Sequence, residues 1–195
     1  MSDCRITELS RKTKETDITI KMNIDGEGTF VGTSGNGFFD HMLNSFAVHS
    51  GFNIELQCKG DLEVDCHHTV EDIGIVLGLC FKKALSDKSN IARYGCFYIP
   101  MDESLSFAAV DISARPFLVF NAKFADSQTG NFDTCLVEEF FKSFAFNAGI
   151  TLHINLLYGS NSHHAIESIF KAVAHSLKDA VALSQKSILS SKGII

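Results

Sequence analysis

The 195-residue sequence lacks an apolar run long enough to span a bilayer, and it has no low-complexity linker and only two prolines. It also lacks an excess of positive charge, because 17 lysines and arginines face 23 aspartates and glutamates, for a formal net charge of −6. A general binder of nucleic acid or of anionic membranes needs a cationic face. We therefore expect neither nucleic acid nor a membrane as a partner, although the composition is compatible with a small cationic pocket.

Closely spaced cysteine pairs are absent as well. No two of the six cysteines are spaced as Cys-x-x-Cys, and the N-terminal stretch MSDCRITELSRKTKET is polar where a secretory signal would be apolar. Free thiols are typical of proteins in a reducing compartment. The sequence therefore predicts a cytoplasmic protein with free cysteines at positions 4, 58, 66, 80, 96 and 135.

Hydrophobic periodicity predicts an alternation of strands and helices. Residues 16–24 alternate apolar and polar side chains, as a half-buried strand does, and residues 29–34 are interpreted as its hairpin partner across the DGEG turn. Further strands are predicted at 52–58, 93–100, 104–112, 116–124 and 150–158. Helices are predicted over 38–48, 67–85, 134–148 and 163–183, with Asp65 as the cap of the second and Ser162 or Asn161 as the cap of the last.

Two stretches of the chain resemble each other. HMLNSFAVHSG (41–51) aligns with EFFKSFAFNAG (139–149), and the alignment matches Ser-Phe-Ala and the final Gly. Each stretch is followed by a predicted strand and then by His-His-x-x-Glu. This pattern predicts an α+β fold with an internally duplicated β-β-α-β-α unit, an extra strand in the second copy, and two sheets packed around a layer of helices. Because neither half would bury its sheet face alone, we expect a single domain over 1–195, with repeats at about 1–90 and about 91–195.

The two His-His-x-x-Glu motifs, at 67–71 and 163–167, hold four of the eight histidines. Residues three and four apart share a helix face, so Glu71 and Glu167 can each join either histidine of their own motif. Adjacent histidines point about 100° apart, which suits two different metal ions better than one. These donors fit Mn, Fe, Co or Zn. The alternative is that each histidine pair caps or solvates a helix start, but two copies at matching places favour metal binding.

Matching positions in the duplicated unit suggest further ligands. His41 lies at the start of the first repeat's first helix, and its counterpart in the second repeat is Glu139. Both side chains can bind metal. Asp40 and Asp72 lie beside candidate ligands, where they either orient a histidine or serve as caps and surface charge.

Three histidines lie outside these positions. His49 belongs to the SFAVHSG stretch beside the proposed site, and function and structure are equally compatible with it. His153 lies in the middle of a predicted strand and His175 far along a predicted helix, so we expect structural roles for both.

Basic residues near turns and on the second motif helix are candidates for holding an anion. Arg93, Arg115 and Lys171 are of this kind, and Lys171 shares a helix face with Glu167, four residues before it. The segment SSKG (190–193) offers two hydroxyls, a cation and a glycine, a set suited to phosphate. Scattered basic residues are also typical of solvated surface, and spacing alone does not separate the two interpretations.

Motifs along nearly the whole chain resemble those of the imidazoleglycerol-phosphate dehydratase family, lyases of histidine biosynthesis. The resemblance is carried, in order, by KETDI (14–18), GFFDHML (37–43), GDLEVDCHHTVEDIG (60–74), RYG (93–95), PMDESL (100–105), RPFL (115–118), AGITLHI (148–154), YGSNSHHAIESIFKA (158–172) and SSKG (190–193). So many motifs in this order, with matching gaps, make the resemblance specific.

The resemblance implies two Mn ions in each active site, each held by both repeats. One ion would take its ligands from His41, His68, Glu71 and His163, and the other from His67, His164, Glu167 and the residue at position 139. The family pattern has histidine at that last position, where this chain has Glu139. A carboxylate can replace imidazole on Mn.

The resemblance also implies which residues meet the substrate. The catalytic residues would be Glu15, His49, Glu71 and Glu167, with the first two nominated for proton transfers. The substrate contacts would come from Glu15, His41, His49, His67, Glu71, Arg93, Arg115, His163, Lys171, Ser190, Ser191 and Lys192. Family members assemble as homo-oligomers, commonly of about 24 subunits.

The implied reaction removes water from imidazoleglycerol phosphate to give imidazole acetol-phosphate, although no carbonyl acidifies the hydrogen that must leave. A metal-held ring loses its proton more readily, so an imidazolate can expel the adjacent hydroxyl and give a diazafulvene, from which a base removes the carbon proton. Two rival functions would use the same ligands. One is a di-metal hydrolase of phosphate esters, and the other is a non-catalytic metal-binding or storage protein.

Overall fold

The computed structural model describes residues 5–85, 88, 90–184 and 190. The first half contains, in chain order, β1 (Ile6–Lys12), β2 (Thr16–Asn23), β3 (Phe30–Gly32), α1 (Gly37–Ser50), β4 (Asn53–Gly60) and α2 (His67–Leu85). The second half contains β5 (Tyr94–Met101), β6 (Ser104–Asp111), β7 (Phe117–Asn121), β8 (Gln128–Thr129), β9 (Phe132–Asp133), α3 (Leu136–Ala148), β10 (Thr151–Tyr158) and α4 (Ser162–Val181).

Both halves build a four-stranded sheet with the same strand order. The first sheet runs β1-β2-β4-β3 and the second β5-β6-β10-β7, and in each the last strand pairs parallel with its neighbour. The hairpin registers match, because Lys12 pairs with Asp17 in the first sheet and Pro100 with Leu105 in the second. The predicted α+β class with two sheets is confirmed. Each half is a β-β-β-α-β-α unit, one strand longer than the predicted unit, and the β8–β9 hairpin is added to the second half.

The prediction that residues 16–24 and 29–34 form a hairpin is wrong, because these two strands do not pair with each other. β3 lies at an edge of the sheet and pairs parallel with β4, whereas the antiparallel neighbours of β2 are β1 and β4. The sequence pattern does not reveal β1, because its apolar alternation is weak and Thr7 is its one fully buried residue. An edge strand of an antiparallel pair with one face in water needs few apolar side chains.

The helices lie between the two sheets. α2 packs on β1 and β2, α4 packs on β5 and β6, and the helices pack on one another as the pairs α2–α3 and α1–α4. One hydrophobic cluster draws residues from both halves. Burying a phenylalanine stabilises a fold by roughly 1.5–3 kcal/mol, and the helices alone bury Phe39, Phe46, Phe81, Phe140, Phe141, Phe144 and Phe170.

Within the described ranges, no helix combines the length and the apolar character that crossing a membrane requires. The cysteines among the described residues are free thiols: Cys58, Cys66, Cys80, Cys96 and Cys135. Burial raises the pKa of Cys58 to about 11 and that of Cys80 to about 12. These two thiols are therefore poor nucleophiles at neutral pH.

Candidate metal centre

Both His-His motifs lie in the first turn of a helix, and side-chain caps fix each turn. Asp65 Oδ1 accepts a hydrogen bond from His67 N at 2.7 Å, as predicted for α2. At the start of α4, Asn161 is the cap, and its Oδ1 accepts from His163 N at 2.9 Å and from His164 N at 3.4 Å. Such caps satisfy backbone donors that have no partner within the helix. The caps therefore fix the helix turn on which each His-His pair lies.

The second motif takes part in a three-residue cluster that joins the two halves. Glu167 Oε2 lies 3.3 Å from His163 Nε2, one turn away on α4, and 3.5 Å from His41 Nε2 on α1. One donor atom from each of these residues lies within 4.8 Å of the others. The cluster forms because α1 packs along α4. Two imidazoles and one carboxylate are a donor set that fits a divalent transition metal.

Lys171 completes the surroundings of Glu167. Its Nζ donates to Glu167 Oε1 at 2.8 Å, which leaves Oε2 facing the two histidines. Glu167 is only 7 % exposed. Burial works to raise the pKa of Glu167, but the hydrogen bond and charge of Lys171, together with His41 and His163, lower it overall. The carboxylate is therefore ionised at neutral pH, the form in which it can bind a metal.

The first motif is more open. His67 Nε2 lies 3.9 Å from Glu71 Oε2, and both side chains are more than 40 % exposed. His68 faces two carboxylates, with its Nδ1 3.0 Å from Asp61 Oδ2 and its Nε2 3.9 Å from Glu15 Oε1. The hydrogen bond to Asp61 is the main cause of the raised pKa of His68.

His164 also faces carboxylates. Its Nδ1 lies 2.7 Å from Glu103 Oε2, and its Nε2 lies 3.7 Å from Asp102 Oδ2. This hydrogen bond raises the pKa of His164 and, together with backbone donors led by Asn161 N, lowers the pKa of Glu103 to about 2.

The expected ligand sets are only partly assembled within one chain. His41 and His163 meet as expected, but they meet Glu167, which the resemblance assigns to the other ion. Glu139 Oε2 lies 3.5 Å from Lys142 Nζ. Across the residues that the structure describes, His41, His163 and Glu167 are the one group of three candidate donors close enough to hold an ion. The assignment of the remaining ligands stays a prediction.

The aspartates considered for orienting a histidine hold other groups. Asp40 accepts from Thr33 Oγ1 at 2.5 Å and from Ser34 N at 2.6 Å. Asp72 accepts from Thr16 Oγ1 and Arg11 Nη1, each at 2.5 Å. Asp40 therefore ties the loop before α1 to that helix, and Asp72 ties β1 and β2 to the motif helix α2.

Asp61 and Glu103 are the carboxylates that hydrogen-bond a motif histidine, and spacing within a helix cannot reveal them. They lie in the loop before α2 and in the β5–β6 turn, and they reach the histidines only through the fold. The signal that points to them is their place inside the motifs GDLEVDCHH and PMDESL.

His49 and His175, from α1 and α4, form a second histidine pair. His49 Nδ1 lies 3.1 Å from His175 Nε2, and the His175 ring lies 5.1 Å from that of Phe97. Burial is the main cause of the lowered pKa of both imidazoles, and the charge of His175 adds to the effect on His49. His153, by contrast, is exposed on β10.

Two of the basic residues proposed for an anion site share one carboxylate. Arg93 Nε lies 2.7 Å from Asp111 Oδ1, and Arg115 Nη2 lies 3.7 Å from Asp111 Oδ2. Arg93 is buried and has a φ of 73°, whereas the Arg115 side chain is 67 % exposed. Ser190 is partly buried. Ser191 and Lys192 lie outside the described residues.

The chain is similar to proteins of one kind across almost its full length. A family model described as imidazoleglycerol-phosphate dehydratase matches residues 34–177. The proteins named imidazoleglycerol-phosphate dehydratase from Clostridium kluyveri and Acetivibrio thermocellus are 53% and 54% identical to it. The alignments cover 98% of this chain and 100% of the first relative, and 96% of this chain and 97% of the second.

Solved structures of the same name share the fold. A crystal structure of imidazoleglycerol-phosphate dehydratase from Staphylococcus aureus matches with a TM-score of 0.84 and 42% identity, over 92% of this chain and 99% of that one. A crystal structure from Pyrococcus furiosus matches with a TM-score of 0.84 and 33% identity, over 96% of this chain and 100% of that one.

Proposed function

Because this chain belongs to the imidazoleglycerol-phosphate dehydratase family, whose members are hydro-lyases of histidine biosynthesis, we propose that it removes water from imidazoleglycerol phosphate to give imidazole acetol-phosphate. We further propose that it uses two Mn ions per active site and a diazafulvene-type intermediate. The observation that carries the proposal is the cluster of His41, His163 and Glu167, with Lys171 beside it. It combines metal donors with a cation in a chain of this family.

The cluster suits the ring of the substrate and its charge. A metal ion held by His41, His163 and Glu167 would bind a ring nitrogen and favour loss of the ring proton. Lys171 keeps Glu167 ionised and brings an ammonium group within one side chain of the metal donors. A phosphate is attracted to such a cation, and Arg115 adds an exposed guanidinium elsewhere on the second half.

The proton transfers need a base and an acid near the reacting carbons. The substrate must lose a hydroxyl group and one carbon-bound hydrogen, which together make the water released, and the resulting enol then becomes the ketone by moving its proton from oxygen to carbon. Glu15 is suited to this work because its side chain is 53% exposed and its carboxylate lies 3.9 Å from His68 Nε2. His49 is suited because its lowered pKa keeps the imidazole neutral, and thus basic, at neutral pH. Undiminished turnover after Glu15→Gln or His49→Asn would remove that residue from the mechanism.

We propose that the protein works as a homo-oligomer, with about 24 subunits as family members have. The support is twofold: the donors of the first motif are open, and large apolar side chains lie on the surface. Exposed apolar surface is often found at interfaces, and the large exposed apolar residues here include Tyr98, Phe117 and Tyr158. A second copy of the chain could complete the open half of the site. A biosynthetic role and free thiols favour a cytoplasmic location.

The test is turnover of imidazoleglycerol phosphate by metal-stripped protein before and after addition of Mn. The ketone product and free phosphate are followed together. Ketone that appears only with Mn, without free phosphate, supports the dehydratase. Free phosphate without ketone would indicate the rival hydrolase, and bound metal with neither product would indicate a metal-binding protein.

A further inference from the structure

Equivalent glutamates precede the second strand of both sheets, but their surroundings differ. Glu15 lies one residue before β2 and Glu103 one residue before β6, in hairpins of matching register. The Glu15 carboxylate lies 3.9 Å from His68 Nε2, beyond hydrogen-bond distance. The Glu103 carboxylate accepts a hydrogen bond from His164 Nδ1 at 2.7 Å. The same position in the duplicated unit therefore meets its histidine in two different ways.

Glu103 is held firmly enough to orient a neighbour. Its Oε1 accepts from Ser160 N at 3.2 Å and from Asn161 N at 2.8 Å, which ties the β5–β6 turn to the loop before α4. Its Oε2 meets His164. An ionised carboxylate can only accept, so the neutral imidazole carries its proton on Nδ1 and keeps the lone pair of Nε2. That arrangement is the one a metal-binding histidine needs.

In the first repeat, the carboxylate that hydrogen-bonds the Nδ1 of the second motif histidine comes from a different position. Asp61 lies 3.0 Å from His68 Nδ1 and follows Gly60, which pairs with the first residue of β2. In the second repeat Gly159 packs against Ser104, the first residue of β6, so that the counterpart of Asp61 is Ser160. Serine has no carboxylate, and only residues 160–162 separate Gly159 from its motif, against residues 61–66 in the first repeat. The carboxylate comes from the hairpin instead.

We propose that Glu103 is a positioning residue that holds His164 with Nε2 available to a metal ion. Asp61 holds His68 in the corresponding way, with its Nε2 available to a metal ion. The carboxylate of Glu15 is then not needed to orient a histidine and can take part in the reaction. The inference rests on the proposed metal-dependent function. It explains why two glutamates at one position of the repeat face their histidines differently.

The experiment compares Glu103→Gln with Glu15→Gln. In Glu103→Gln the amide oxygen can still accept from the backbone of the α4 loop, but the amide NH2 faces Nδ1 and favours the imidazole with its proton on Nε2. We expect Mn affinity, measured by equilibrium dialysis of the full-length protein, to fall about 10–100-fold, with turnover regained at saturating Mn. Glu15→Gln should keep the parent's Mn affinity and lose turnover. Asp61→Asn should behave like Glu103→Gln.

Two results would overturn the proposal once circular dichroism shows that Glu103→Gln is folded. One is Mn affinity equal to that of the parent. The other is reduced Mn affinity with turnover that stays low at saturating Mn, because Glu103 would then act in the reaction itself.

A readout without metal separates this inference from the proposed function. Nitrogen-15 spectra of the metal-free protein at alkaline pH report which ring nitrogen of His164 carries the proton. We expect Nδ1 in the parent and Nε2 in Glu103→Gln. An unchanged tautomer would overturn the positioning role, whereas a parent that neither binds Mn nor turns over substrate would defeat the proposed function and leave this result standing.

Discussion

The two motif glutamates have the same place in the duplicated unit but opposite environments. Glu167 is buried and has Lys171, His163 and His41 within 3.5 Å. The side chain of Glu71 is more than 40 % exposed, and its Oε2 lies 3.9 Å from His67 Nε2. One half therefore carries an assembled cluster within the chain, while the other presents its donors outward.

Two substitutions between the repeats account for this difference. The position that corresponds to Lys171 is Ile75 in α2, so Glu71 has no cation one turn ahead of it on its own helix. The position that corresponds to His41 is Glu139, a carboxylate in place of an imidazole. The comparison teaches that the two repeats share the His-His-x-x-Glu pattern of their motif helices and differ in the side chains that surround it.

The largest effect should come from the buried glutamate. We expect Glu167→Gln to lower turnover at saturating Mn by roughly 10²–10³-fold, because it removes the charged donor and leaves Lys171 without its carboxylate partner. Steady-state ketone formation is the measurement. Glu55→Gln, which removes an exposed partner of Lys21, is the matched control and should keep the parent's rate. Unchanged turnover in Glu71→Gln would contradict the expectation that the exposed donors of the first motif also take part in the reaction.

Replacing Lys171 by isoleucine, the residue at the corresponding position 75 of the first repeat, tests whether this cation is what distinguishes the two motif helices in phosphate binding. Lys171→Ile should raise the KM for the phosphate substrate about 10–100-fold, because a charge-assisted hydrogen bond is worth about 1.5–3 kcal/mol. Initial rates over a range of substrate concentrations give the result. Lys178→Met, on the exposed last turn of α4, should leave KM unchanged. An equal rise in both variants would show that net charge, rather than this position, attracts the phosphate.

The helix interfaces also differ between the repeats. Gly78 lets α2 approach α3 so closely that an added Cβ would lie 2.5 Å from Phe144 O, whereas the corresponding residue of α4 is Ala174. Gly78→Ala should therefore lower the free energy of unfolding by about 1–3 kcal/mol, measured by urea titration. Ala174→Gly should cost about 1 kcal/mol through helix propensity. Gly37→Ala has open space around the new methyl group and should not destabilise the protein.

Local signals in the sequence predict the motif helices and their caps well. Helical periodicity, Asp65 and Asn161 lie close to the elements that they define, so short-range chemistry is sufficient. Such signals do not predict the place of β3 in the sheet. β3 pairs parallel with β4, and this pairing depends on how α1, which connects the two strands, packs in the fold. β1 is hidden by its polar face.

The residues of the candidate site likewise fall into those that local sequence signals predict and those that only the folded structure brings together. The histidines and glutamates of the two motifs follow from helix spacing, and their duplication identifies them as a set. The partners Asp61 and Glu103 are 7 and 61 residues away from their histidines, and contacts over such separations are decided by tertiary packing. Sequence spacing likewise cannot assign Glu167 to His41, since that contact needs α1 to pack along α4.

The smallest expected effect concerns the histidine pair between α1 and α4, which has no counterpart in the other helix pair: Ser143–Ala148 of α3 contain no histidine. The pKa of both His49 and His175 is lowered in the folded protein, chiefly by burial, with Lys171 and Lys178 adding to it and Glu167 and Asp179 opposing it. The unfolded chain therefore binds protons more readily than the folded one. Stability should be fully present above the ordinary histidine pKa of about 6.5 and decline as the pH falls below it.

His175→Gln removes one of these titrating groups while keeping a side chain that can hydrogen-bond to His49. We expect the loss of unfolding free energy between pH 7 and pH 5 to shrink by at most about 1 kcal/mol, because both imidazoles keep contact with solvent. Urea titrations at the two pH values give the difference. His153→Gln, at an exposed position on β10, should leave that difference as it is in the parent. A steeper loss in His175→Gln would mean that the pair shares a proton in the folded state, and burial would then not be the effect that sets its titration.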